Sequence, residues 1–328
     1  MKKLKIAGNI LMVIALVFVV RRLFSIDWTS VITGKNLFWF VLYIAVYTVI
    51  VLVSYYPWRI LVSVFIGSEK SLAKHDLTFC YVFTKANILK YVPGNVFQYV
   101  GRNEVASILG LDHAGVAMAT LSEVILMAAS AALCSLVLIG SYTIQYLKAH
   151  LLKILAVGIA ALVILSAAVF FLFKWKKEKV TEYYNKYKKI LSKKQTAARL
   201  LLVFCIYTVI FLCIGLLFIA VMNLCSGKAL PRSVYGMVIG GFILSWLAGY
   251  ITPGAPGGIG VRELILALVF SGSSFASKET IVAASALYRV INTFGDIIAF
   301  VIMFVVYHAA ANKSGLSDAD KQKTNDRE

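Results

Sequence analysis

The sequence predicts an all-α polytopic membrane protein of about six full spans and two broken hydrophobic regions. Three observations predict it. Hydrophobic residues make up 60% of the chain and the mean hydropathy is +0.84, well above the ordinary share in a globular domain. The apolar residues come in long runs such as 37–66, 116–139 and 200–224, and a helix needs about 20 of them to cross the hydrocarbon core. The net charge of +18 is gathered between those runs.

The elements are taken in chain order. Lys2, Lys3 and Lys5 precede an apolar run at 6–24 that ends at Arg21 and Arg22. A signal peptide would be followed by a small-residue cleavage site and a polar mature chain, so this run reads as a retained first span. Further spans fall at about 37–57, 114–140, 151–173, 199–224 and 280–309. Regions 77–108 and 234–272 are apolar but interrupted by Pro, Gly and charge. Residues 1–310 therefore form one transmembrane domain, and 311–328 a short polar tail.

The charges orient the spans. The densest basic stretch, 174–199, holds ten Lys/Arg against Glu178 and Glu182 and lies between two spans. That is a cytoplasmic loop under the positive-inside rule, and it would adhere to anionic headgroups. With both termini inside, 20 Lys/Arg fall in cytoplasmic segments and four (Lys35, Lys148, Lys228, Arg232) in external ones. The same distribution removes the nucleic-acid reading that a net charge of +18 invites.

The broken regions carry the same pattern. Pro93-Gly94 is followed by Arg102 and Glu104, and Pro253-Gly254, through Gly257 and Gly258, by Arg262 and Glu263. Each arginine stands nine residues after its proline. Further on, 117–125 aligns on 283–291 with four identities, which sets Glu123 against Arg289. The offset is 160 for the first match and 166 for the second. The halves, about 37–140 and 199–309, read as an inverted repeat of the kind found in secondary transporters, each with a re-entrant hairpin.

Pro removes a backbone donor and Gly tolerates positive φ, so each Pro-Gly pair stops a helix. Unwound backbone at membrane depth is tolerated only inside protein or against water. Free helix N–H groups beside Arg102 and Arg262 would suit a phosphate. Buried ionisable groups are either functional or paired. The alternative to ligand contact is pairing of Arg102 with Glu104 or Glu123, and of Arg262 or Arg289 with Glu263 or Asp296. A Glu123–Arg289 bridge between the halves is a further expectation. Lys85 and Lys90, before the first break, suit headgroup contacts or surface anchors. Five dispersed cysteines without a CxxC and four dispersed histidines without HExxH indicate no metal or redox site. Gly257-Gly258-Ile259-Gly260 lacks the GxxxxGK[ST] of a nucleotide loop. No cofactor is expected.

The run from Pro253-Gly254 to Gly258-Ile259-Gly260-Val261-Arg262-Glu263 resembles the PGGxGxRE signature of the lysylphosphatidylglycerol synthase transmembrane region. Gly101-Arg102 and Trp58-Arg59 are similar to weaker features of that family, while Asn95-Val96-Phe97-Gln98-Tyr99 departs from its glycine-rich form. The resemblance spans nearly the whole chain and implies a flippase-like protein of the bacterial inner membrane. It implies anionic lipid headgroups as ligands and envelope-biosynthesis enzymes as partners. The tail at 311–328 is too short for the family's aminoacyl transferase. Two other readings stand beside translocation. One is a membrane scaffold for envelope enzymes acting through 174–199. The other is a membrane glycosyl- or acyltransferase, for which Glu104, Glu123, Glu263 and Asp296 are the available carboxylates. The expectation is a non-enzymatic translocase.

Overall fold

The computed structural model describes residues 36–67, 72–92, 97–140, 187–252, 258, 260–270 and 275–313. The expected spans at 6–24 and 151–173, both Pro-Gly pairs, Gly257 and the tail beyond 313 lie outside the described residues.

Among the described residues every regular element is helical. Five stretches of them are long and apolar enough to cross a membrane: Leu37–Ile66, His113–Ile139, Lys194–Ser226, Arg232–Ile251 and Lys278–Asn312. At 1.5 Å per residue, even 20 residues reach about 30 Å, the hydrocarbon thickness. The chain is a multi-span helical membrane protein. Helices run past the apolar stretches that mark them, as at Lys194 and Lys278, because lysine stems cover apolar surface while their ammonium groups stay in the headgroup layer. The outward faces are apolar: Phe38, Val49, Leu201, Val209, Val301 and Val305 are all exposed.

The helices are α1 (Leu37–Val53), α2 (Tyr55–Ile66), α3 (Asp76–Ile88), α4 (Phe97–Arg102), α5 (Glu104–Leu109) and α6 (His113–Ile139). They continue with α7 (Lys194–Ser226), α8 (Tyr235–Ile251), α9 (Val261–Val269) and α10 (Lys278–Lys313). α1 and α2 form one span interrupted at Ser54. Pro57 has no N–H to give the Val53 carbonyl, which is where a helix must loosen. The Ser54 hydroxyl bonds the Ile50 carbonyl at 2.7 Å. α6 starts at Asp112, whose carboxylate accepts the Ala114 N–H at 3.1 Å and caps the helix.

Each broken region folds back on itself: α3 lies against α4, and α8 against α9. The arms are unequal. Arg232–Ile251 is by itself long enough to cross, whereas the nine residues of α9 reach only about 13 Å. The sequence reading makes 234–272 a re-entrant hairpin interrupted by Pro, Gly and charge. Its first arm is one continuous helix, because no proline falls within Tyr235–Ile251.

Packing between elements is reciprocal. α6 lies against α2, α7 and α8, while α10 lies against α7, α1 and α3. The core between them is aromatic: Phe218 stacks on Phe242 at 4.3 Å, and Phe242 meets Tyr288 edge-on at 4.7 Å. α7 and α8 approach closely at Gly215, where an added Cβ would lie 2.5 Å from Ile239 Cγ2.

That contact generates a test. Gly215→Ala should destabilise the fold by about 1–3 kcal/mol through overpacking, read by unfolding in detergent. Ile239→Ala in the same chain should recover part of the loss, because it removes the clashing methyl. Equal losses from the two changes, summing without interaction, would rule the contact out.

Candidate anion site

Among the described residues, five acid–base pairs organise the buried charges. In the first half, Arg102 at the end of α4 pairs with Glu123 on α6, with side chains only 5% and 1% exposed. The Tyr207 hydroxyl, from α7, donates to the second Glu123 oxygen. One turn earlier on α6, Thr120 accepts the Trp58 indole N–H at 3.0 Å. The Arg102 guanidinium lies over Phe83 at 4.4 Å and within 5.6 Å of both Trp58 and Tyr99. A buried cation here has a carboxylate on one side and aromatic faces around it, which together offset its desolvation.

The second half holds a similar bridge with the signs exchanged. Glu263, in the first turn of α9, takes the Gly260 N–H at 2.9 Å and Arg289 Nη2 at 2.8 Å. Arg289 Nε stands 2.5 Å from its other oxygen, and Arg289 Nη2 also donates to the Gly258 carbonyl at 3.2 Å. In both halves the short arm is tied to the following long helix. The arm supplies the arginine in one and the glutamate in the other.

A third cluster joins the halves. Asp296 on α10, with a side chain 0% exposed, lies 2.6 Å from Lys90 Nζ. It also accepts Asn87 Nδ2 at 2.7 Å and the Tyr91 hydroxyl at 2.6 Å. Two further pairs have part-exposed carboxylates: buried Arg59 meets Asp76 at 2.5 Å, and Lys85 meets Glu104 at 2.7 Å.

Arg262 has no such partner among the described residues. Its neighbour Glu263 is turned to Arg289, and its own Nε is sealed from solvent with no hydrogen-bond partner among them. Its guanidinium lies 6.0 Å from the Trp246 ring centre. Tyr47, Tyr288, Glu263 and Tyr91 are within electrostatic reach of it, Glu263 without ion-pair contact. The backbone makes room for its stem. Gly258 has φ +73°, and a Cβ there would fall 2.8 Å from Gly249 Cα and 2.9 Å from Arg262 Nε. Only glycine meets both requirements. Trp246 stacks on Tyr250 at 4.8 Å, and Tyr250 meets Tyr99 edge-on at 6.3 Å. Three rings thus connect the Arg262 environment to that of Arg102.

The structure brings together Arg102 with Glu123, and Glu263 with Arg289 and Gly258, two of the pairings open to the sequence. It sets Glu104 apart, on Lys85. The expected Glu123–Arg289 bridge does not form: each residue pairs within its own half, because the intervening arm presents a closer partner. Asp296, expected to meet an arginine, meets Lys90. Lys90 is therefore neither a surface anchor nor a free headgroup contact. Tyr207 is missed by the sequence reading, though a signal existed. Tyr47-Thr48-Val49-Ile50 recurs as Tyr207-Thr208-Val209-Ile210, offset by the same 160 residues that separate the Pro-Gly pairs. The two threonines mark equivalent places: Thr48 reaches the Gly295 carbonyl on α10 at 3.5 Å, and Thr208 meets Ser130 on α6 at 3.0 Å.

Arg102→Gln and Glu123→Gln should each cost about 3–5 kcal/mol, since each leaves one buried charge unmatched. The double variant should cost far less than their sum. Arg262→Gln should be neutral or stabilising, because it removes a charge with no ion-pair partner of its own while Glu263 stays matched by Arg289. Unfolding curves of purified protein in one detergent decide this. A loss for Arg262→Gln as large as for Arg102→Gln would contradict the difference in pairing. No protein family, curated protein or solved structure matches this chain.

Proposed function

We propose that the chain is a lipid translocase, a relative of the lysylphosphatidylglycerol synthase transmembrane region. It moves an anionic phospholipid or a polyprenyl-phosphate-linked glycan between the leaflets of the bacterial inner membrane during envelope biogenesis. The observation that carries this reading is Arg262, a part-buried guanidinium with no ion-pair partner of its own among the described residues, in the first turn of the short arm α9. A charge left unmatched among membrane-spanning helices is costly and belongs with a ligand. Arg262 takes the phosphate, with Gly258 beside it; Arg102 marks the equivalent place in the first half, and Glu104, Glu123, Glu263 and Arg289 brace the two.

In this reading the chain has both termini in the cytoplasm and six spans, with 77–108 and 234–272 entering from opposite sides as an inverted repeat. The reciprocal packing supports it: α6 on α8 is matched by α10 on α3, and α6 on α7 by α10 on α1. The pairing of the carboxylates favours transport over catalysis. Glu104, Glu123, Glu263 and Asp296 each hold a cation, whereas a general acid or base must be available to its substrate.

Reconstitution tests it. Wild-type protein in liposomes should speed the exchange of a headgroup-labelled anionic lipid between leaflets. Arg262→Gln should slow that exchange by about tenfold or more, the worth of one lost charge-assisted contact of ~1.5–3 kcal/mol. Removing 174–192 should leave exchange in place. Exchange no faster than in empty liposomes, together with capture of envelope enzymes that is lost on that deletion, would transfer the assignment to the scaffold.

A further inference from the structure

The pairing of charges also constrains the ligand, given that Arg262 is an anion site as proposed above. Five acid–base pairs account for the buried or half-buried charges of the described residues, apart from Arg199 near the start of α7 and Arg262. Arg199 makes contacts of its own. Arg262 is left with a sealed Nε and no carboxylate in ion-pair contact among the described residues; Glu263 lies within electrostatic reach of it but is held by Arg289, so the three charges sum to one positive.

The first half shows what this position requires. Arg102, at the equivalent place after the break, is neutralised by one carboxylate, Glu123, whose oxygens are shared between the guanidinium and the Tyr207 hydroxyl. Aromatic faces surround the rest of the cation. In the second half the matching position of the long helix holds Arg289, which draws Glu263 away from Arg262 and supplies no anion. Tyr47, the repeat counterpart of Tyr207, lies within electrostatic reach of Arg262 as Tyr207 does of Arg102.

From this we infer that Glu123 is a built-in ligand surrogate at the first site, and that Arg262 takes a phosphodiester bearing a single negative charge, one per chain. One charge neutralises Arg262 as Glu123 neutralises Arg102. A pyrophosphate or phosphomonoester brings further negative charge to an interior whose other cations are already matched, and uncompensated buried charge is expensive. The site therefore selects glycerophospholipid-type headgroups or singly charged polyprenyl-phosphate sugars over pyrophosphate-linked carriers.

Native mass spectrometry of the full chain in a zwitterionic detergent tests this with three probes: dihexanoyl phosphatidylglycerol, dihexanoyl phosphatidic acid and farnesyl pyrophosphate. The phosphodiester should bind once per chain, and the other two at least about tenfold more weakly. Arg262→Gln should abolish the bound phosphodiester. Glu123→Gln, purified with the probe present, should bind a second molecule and regain thermal stability as probe is added. Arg102→Gln/Glu123→Gln should show neither effect. Arg262-dependent binding in which pyrophosphate equals or exceeds the phosphodiester overturns this inference while leaving the anion site standing. A Glu123→Gln chain that gains neither ligand nor stability overturns the surrogate role of Glu123. Binding indifferent to Arg262→Gln overturns the anion site itself, and the inference with it.

Discussion

A charge among membrane-spanning helices has to find an opposite charge, and that constraint arranges most of this molecule. The energy of an unmatched charge in hydrocarbon far exceeds that of any single packing contact, so the pairs decide which helices meet. Arg102–Glu123 ties the first short arm to α6, Glu263–Arg289 ties the second to α10, and Lys90–Asp296 ties the first region to α10. These bridges do not hold the fold by number; a buried pair adds little beyond offsetting its own desolvation. They fix register. A helix slid by one turn along any of these contacts would leave two charges stranded instead of one neutral bridge.

Packing supplies the adhesion that the bridges do not. Helices in lipid gain nothing from hiding apolar surface from water, so close contact and small residues carry association. Gly215 against Ile239, and Gly249 against Gly258, are contacts of that kind. The aromatic groups serve a different end. Phe218, Phe242 and Tyr288 form a rigid centre, while Trp246, Tyr250 and Tyr99 form a polarisable wall between the two arginines. Rings of this sort stabilise a cation without fixing its geometry, which suits the ligand exchange proposed for Arg262.

Much of this was legible from the residues. Hydropathy alone places the spans around 37–57, 114–140, 199–224 and 280–309; the first covers α1 and the start of α2, and each of the others lies within one helix apart from residue 140, because apolar run length is the physical requirement for crossing. Helix ends were not legible: Lys194 and Lys278 carry the helix into a polar layer where hydropathy has no signal. Charge pairing was legible only as a set of alternatives, since sequence distance does not say which long helix an arm faces. Asp296 shows this best. Its partners Asn87, Lys90 and Tyr91 lie more than 200 residues away, and no local pattern joins them. Tyr207 could have been found, through the four-residue recurrence at 47–50 and 207–210.

The exchanged signs of the two bridges have a genetic consequence. Copying the 113–139 segment over its counterpart in 278–313 would replace Arg289 by a glutamate and set it against Glu263; the reverse copy would set an arginine against Arg102. Either exchange buries two like charges at contact distance. Under the inverted repeat proposed above, an exchange of sequence between the halves is therefore unfavourable at this point. A single reversed polarity keeps the two segments from standing in for one another.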